Sequence, residues 1–104
     1  RGGDPQRALA LYERDGNYEA AAALAIREGL RERASKLLRV AGDKALEENR
    51  FQPAASFFEQ AGDYERAARL YEQIQQVDNA LRCYDKAGSA DNLVRIFKDV
   101  EPAM

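Results

Sequence analysis

A step of thirteen residues constrains this chain more than any other feature of its sequence. Glycines stand at positions 3, 16, 29 and 42, each thirteen after the last. A second series, Asn49, Gly62, Gln75 and Gly88, keeps the same step but starts seven residues after Gly42. Taken as marks, these residues divide the chain into seven full units and one short segment. Five residues after each mark come Ala8, Ala21, Ala34, Ala54, Ala67, Ala80 and Leu93. Eight and nine residues after it come the pairs Leu11-Tyr12, Leu24-Ala25, Leu37-Leu38, Phe57-Phe58, Leu70-Tyr71, Cys83-Tyr84 and Ile96-Phe97. Tyr18, Phe51, Tyr64 and Val77 fill a further apolar column two residues after the mark. Positions 5, 8, 9 and 12 of the unit fall on one stripe of an α-helix, so each unit predicts one helix of about three turns.

The ends of the units agree with this. Asp4, Asn17, Asp43, Asp63 and Ser89 directly follow marks, where a side-chain oxygen can accept free N–H groups of a first helical turn. Pro5 suits the first helical position. The glycine preceding each of these residues suits the left-handed conformation that closes a helix. The spacing predicts helices over about 5–14, 18–28, 31–41, 53–61, 64–74, 77–87 and 90–100. Connections of two or three residues would set neighbouring helices antiparallel. Two readings of the short segment stand. Gly42-Asp43 can be a turn and cap opening a short helix over 44–49, which is the favoured reading. Alternatively, Ala34, Leu37, Leu38, Ala41 and Ala45 continue one stripe, so that 31–49 is a single helix with an internal glycine.

A three-turn helix is not stable alone, and a pair of them still exposes an apolar edge. Stacking successive pairs buries that edge, which is the logic of a solenoid. Alanine in one column permits close helix approach, and the bulky pair fills the adjacent gap. The expected fold is all-α: one domain over 1–104, a stack of helical hairpins that reads as a fragment of a longer protein.

The segment from Ala45 to Gln73, ALEENRFQPAASFFEQAGDYERAARLYEQ, resembles the tetratricopeptide-repeat style of helical hairpin, as do NYEAAAAL, RFQPAASF and DYERAARL. A tetratricopeptide unit has 34 residues, whereas a helix pair here takes 26. The shorter pair is similar to the compact α-solenoid repeats of vesicle-coat and intraflagellar-transport proteins. The resemblance implies a right-handed α-solenoid of antiparallel hairpins and a protein–protein interaction or scaffold role without catalysis. The carboxylate-clamp pattern of Lys, Asn and Arg is not evident, so the resemblance brings no peptide groove with it.

Composition narrows function further. The chain has no His and a single Cys, so the commonest general base and most metal-ligand sets are missing. No cofactor or metal is expected, and the chain is not expected to be an enzyme. Cys83 falls in a column otherwise held by Leu, Phe and Ile, which reads as a small core residue. With 33% charged residues but a net charge of −2, nothing suggests nucleic-acid binding. No apolar run reaches the roughly 18 residues that span a bilayer. One cysteine fits a reducing compartment, and a cytoplasmic location is expected.

Three surfaces are candidates for partners. Arg31, Arg33, Lys36 and Arg39 lie outside the apolar stripe and have two readings, a basic ridge for an acidic peptide, phosphate or lipid head group, or a solvated face with local salt bridges. Ala20 to Ala23 make the second helix apolar almost all round, either for burial within the stack or as a shallow docking face. Leu93, Ile96, Phe97 and Val100 form a stripe on the last helix, used against the preceding helix or open for association with more of the same chain or a second copy. Tyr12, Tyr71 and Tyr84 read as core residues with hydroxyls at the rim. The expected partners are another protein or flanking domains, and the alternatives to a scaffold are a spacer or an anion-sensing regulatory domain.

Overall fold

A computed structural model describes residues 4–100, with side chains as far as Lys98. Seven helices follow one another among the described residues: α1 (Pro5–Arg14), α2 (Tyr18–Arg27), α3 (Arg31–Glu47), α4 (Phe51–Gln60), α5 (Tyr64–Gln73), α6 (Val77–Ala87) and α7 (Ala90–Val100). Each packs chiefly against its sequence neighbours. The result is elongated, 63 × 26 × 17 Å, with a radius of gyration of 16.3 Å. A compact domain of this length has a radius near 13 Å, so the helices follow one another along an axis instead of closing around one centre.

The marks of the thirteen-residue repeat are the left-handed residues of the fold. Gly16, Gly29, Gly62 and Gly88 have φ between 72° and 87°, and Asn49 and Gln75 join them at 60° and 67°. At all six, the N–H of the following residue donates to the carbonyl five residues back, from Asn17 to Tyr12 (2.8 Å) through Ser89 to Tyr84 (2.9 Å). The mark's own N–H donates to the carbonyl three residues back, as from Gly62 to Glu59 at 3.0 Å. This pair of bonds satisfies carbonyls that a helix end would leave bare. Gly3 lies outside the described residues.

Helix openings follow the sequence reading only in part. The Asp4 and Asn17 side chains accept from the N–H groups of Gln6 (3.0 Å) and Ala20 (3.3 Å). Asp63 makes no capping bond, and its carboxylate instead lies 3.5 Å from Arg66. Nor does Asp43 cap a helix: it sits inside α3 and pairs with Arg66 at 3.3 Å.

That last point corrects the favoured reading of the short segment. No turn occurs at Gly42-Asp43, and α3 runs unbroken from Arg31 to Glu47. Seven added residues are almost two helical turns, so Ala34, Leu37, Leu38, Ala41 and Ala45 stay on one buried stripe. Gly42 has a different task from the other glycines. A Cβ there would lie 2.8–2.9 Å from three ring atoms of Phe58, so the missing side chain lets that ring pack against the α3 backbone.

Two apolar clusters follow the axis. Leu9, Ala21, Ala22, Leu24, Ala25, Ala34, Leu37, Leu38 and Ala61 form the first. The second runs from Ala45 through Phe58, Tyr71 and Tyr84 to Ile96. Phe57 packs against both and joins them. Among the described residues no polar or charged residue is buried, and no helix is long and apolar enough to cross a membrane.

Candidate interaction surfaces

Polar columns of the repeat tie three helices at a time. Glu59 on α4 accepts from the Tyr71 hydroxyl on α5 at 3.0 Å and pairs with Arg82 on α6. Arg82 also donates to Asn79 Oδ1 at 2.9 Å, and Asn79 donates to Gln76 Oε1 at 2.8 Å. Thirteen residues on, the arrangement recurs. Glu72 on α5 accepts from the Tyr84 hydroxyl on α6 at 2.9 Å and takes a two-pronged bond from Arg95 on α7 at 2.7 and 2.9 Å. Arg95 donates to Asn92 (3.1 Å), which donates to Ser89 Oγ (2.7 Å). Paired N–H groups on a planar guanidinium match a carboxylate's two oxygens, so each Arg orients the Glu that also receives the tyrosine.

The titration behaviour follows from these contacts. Burial, then the bond to Glu59, pushes the Tyr71 hydroxyl up to about 12. Tyr84 is raised in the same way by burial and Glu72. The Arg95 guanidinium holds the Glu72 carboxyl below the usual carboxylate range, helped by Tyr84 and opposed by desolvation. Burial raises the Cys83 thiol, away from the reactive thiolate.

The ladder has a start. Thirteen residues before Glu59 and Tyr71 stand Leu46 and Phe58, which carry no oxygen on their side chains. There Arg66 lies 4.6 Å over the Phe58 ring instead, while Arg69 pairs with Glu65 at 3.0 Å. Near the other end of the chain, Arg33 on α3 reaches past α2 to α1, donating to Glu13 at 2.8 and 3.1 Å and to Gln6 at 3.1 Å. Lys44 donates to the Gly16 carbonyl at 3.0 Å and lies 5.9 Å over the Tyr18 ring. The sequence reading followed apolar columns and passed over these polar ones. Their signal was present as Glu, Tyr, Asn and Arg each repeating at thirteen residues.

The predicted ridge divides. Arg31, Lys36 and Arg39 are exposed on one face of α3 and, with Glu32 and Ser35, line a shallow depression. None of these three cations has an ion-pair partner among the described residues. Arg33 faces the other way, engaged with Glu13 and Gln6. On α2, Ala21 and Ala22 are buried and Ala20 half-buried, while Ala23 is exposed together with Ile26.

The two ends of the stack depart from the column pattern. Leu11 and Tyr12, expected in the core, are 46% and 39% exposed, and among the described residues no helix lies before α1 to cover them. On α7, Ile96 is buried and Leu93 half-buried, but Phe97 and Val94 are 51% and 52% exposed. The Val100 side chain lies outside the described residues. Among the described residues no group of His, Cys, Asp and Glu is placed to hold a metal ion. Scanned against protein-family models, curated proteins and solved structures, the chain gives no match, so its fold is read from its own repeat.

Proposed function

We propose that this chain is a protein–protein interaction scaffold: a right-handed, tetratricopeptide-like α-solenoid of antiparallel hairpins, cytoplasmic and without catalysis. The observation that carries the reading is the contrast between engaged and open cations. Arg33, Arg66, Arg69, Arg82 and Arg95 each hold an acid, whereas Arg31, Lys36 and Arg39 share one exposed face and hold none. A stack whose polar side chains lock helix to helix presents a stiff surface, and its unpaired charges are the groups left to meet a partner. Tyr71, Tyr84, Glu72 and Cys83, whose titration is shifted, belong to the packing, which supports a binding role over a catalytic one.

The ridge fits an acidic segment of another protein. Titrating the chain with a Glu- and Asp-rich peptide should show saturable binding that weakens with salt. Arg31→Glu with Arg39→Glu should abolish it and flatten the salt dependence. Binding of inorganic phosphate with the same sensitivity would favour an anion-sensing domain. No binding of either would leave the ridge a solvated face and favour a spacer, a role that the 63 Å length and the three-helix ties also suit.

A further inference from the structure

The seven residues that interrupt the thirteen-residue step are the one part of the pattern that stacking does not call for. They make α3 17 residues long against 10 for α2, an overhang of about 10 Å at the rise of an α-helix. Lys44 marks where the overhang passes the start of α2, since its ammonium donates to the Gly16 carbonyl at 3.0 Å. α4 sets out from the far end of the overhang. Between the start of α2, the end of α3 and α4 lies a cleft of about 140 Å³.

Ala41, Lys44, Ala45 and Glu48 line this cleft from α3, at the i, i+3, i+4, i+7 spacing of one helical face. The two alanines are buried, and with the half-buried Tyr18 and Phe57 they give the cleft its apolar part. An apolar cavity of roughly 150 Å³ holds one benzene ring, so the space suits one branched aliphatic or aromatic side chain. Charges of both signs complete the lining, and two of them are unanswered. Arg50 and Glu48 meet each other at 3.4 Å. Lys44 spends one of its three N–H donors on Gly16 and lies 5.9 Å over the Tyr18 ring, but no carboxylate pairs with it among the described residues. Glu19 is exposed and likewise has no ion-pair partner among the described residues. Lys44 and Glu19 thus line one cleft without meeting.

We infer that this cleft binds a free α-amino acid with a branched aliphatic or aromatic side chain. The ligand's carboxylate meets Lys44, its ammonium meets Glu19, and its side chain lies against Ala41, Ala45 and Phe57. An unpaired cation and an unpaired anion beside an apolar space match a small apolar body that carries both charges. The C-terminal residue of a peptide would leave Glu19 unanswered, and an N-terminal residue would leave Lys44 so. The site uses none of the exposed cations of the α3 ridge, and it stands whether or not that ridge binds an acidic segment.

The probe is L-leucine titrated into the full chain, with NMR shifts of the Tyr18 and Phe57 rings reporting on the cleft. Saturable binding is expected. N-acetyl-leucine lacks the ammonium and leucinamide the carboxylate, and each should bind about tenfold more weakly for the loss of one charge-assisted hydrogen bond. Glycine, which has no side chain, should not bind measurably. Glu19→Gln should weaken leucine binding by the same factor and leave that of N-acetyl-leucine unchanged. Lys44→Met should weaken leucine and leave leucinamide unchanged. Both side chains are exposed, and circular dichroism would verify that each variant folds; should Lys44→Met not fold, the Glu19→Gln comparison decides alone. Absence of leucine binding, or leucine binding indifferent to Glu19→Gln, would overturn the site. N-acetyl-leucine bound as tightly as leucine would overturn the occupant in favour of the C-terminal residue of a peptide.

Discussion

Replacing Gly42 with alanine tests the central packing of the stack, because two effects of opposite sign meet at one atom. In an exposed helix the change would stabilise by about 1 kcal/mol, since alanine loses less backbone entropy. Here the new Cβ would stand 2.8–2.9 Å from the Phe58 ring, against roughly 3.5–4.0 Å for comfortable carbon contact. Phe58 is fully buried and packed among alanines of α4 and α5, so its ring has little room to retreat. Overpacking of this kind costs about 1–3 kcal/mol, and the net expected effect is a loss of about 1 kcal/mol. Thermal denaturation followed by circular dichroism would register this as a fall of about 4–8 °C in Tm. Phe58→Leu alone should cost roughly 1–2 kcal/mol, part of the loss seen on truncating a buried aromatic fully. In that background Gly42→Ala should become stabilising, because the ring that opposed it is gone. A coupling of about 1–3 kcal/mol between the two sites is therefore expected. If Gly42→Ala stabilises the native chain, or the two changes add without coupling, the packing explanation of this glycine is refuted.

Other expectations follow from the ladder and the turns. Gln75→Gly should stabilise by about 0.5–1 kcal/mol in urea unfolding, because Gln75 holds φ 67° where glycine pays no Cβ penalty. Tyr71→Phe should cost about 1 kcal/mol, as it removes one hydrogen bond while keeping the ring. It should also remove a loss of stability between pH 10 and about 12, since the folded state raises this hydroxyl to about 12 and so favours its proton over that range. Glu72 runs the other way: its folded pKa is lowered, so its contribution is present above the ordinary carboxyl range and is lost as pH falls through the folded value. Glu72→Gln should flatten acid unfolding there. Asp63→Ala should cost less than the roughly 1 kcal/mol expected of Asn17→Ala in the same unfolding assay, because only Asn17 caps its helix through its side chain.

What sequence alone determined is the local order of the chain. Outside the short segment over 42–49, helix positions follow from the thirteen-residue spacing, because a left-handed residue can close a helix from its own neighbourhood. Asn49 and Gln75 show how strong that rule is: they adopt the glycine conformation at marks where no glycine stands. Burial of Ala21, Ala54, Ala67 and Ala80 likewise follows from being on the stripe of a helix with neighbours on both sides. Tertiary structure decided matters that depend on residues far apart in the chain. Gly42 looks like its fellow glycines until Phe58, sixteen residues away, presses against it, so its role in the helix interior is a property of the pair. Arg33 and Arg31 differ little in sequence, yet only Arg33 meets Glu13 across α2, which removes it from the ridge. Leu11, Tyr12 and Phe97 occupy core columns but lie open, because burial requires a neighbouring helix and these residues belong to α1 and α7, the outermost of the described helices. Periodicity determines which faces are alike; which of those faces are left uncovered is settled only when the helices are packed.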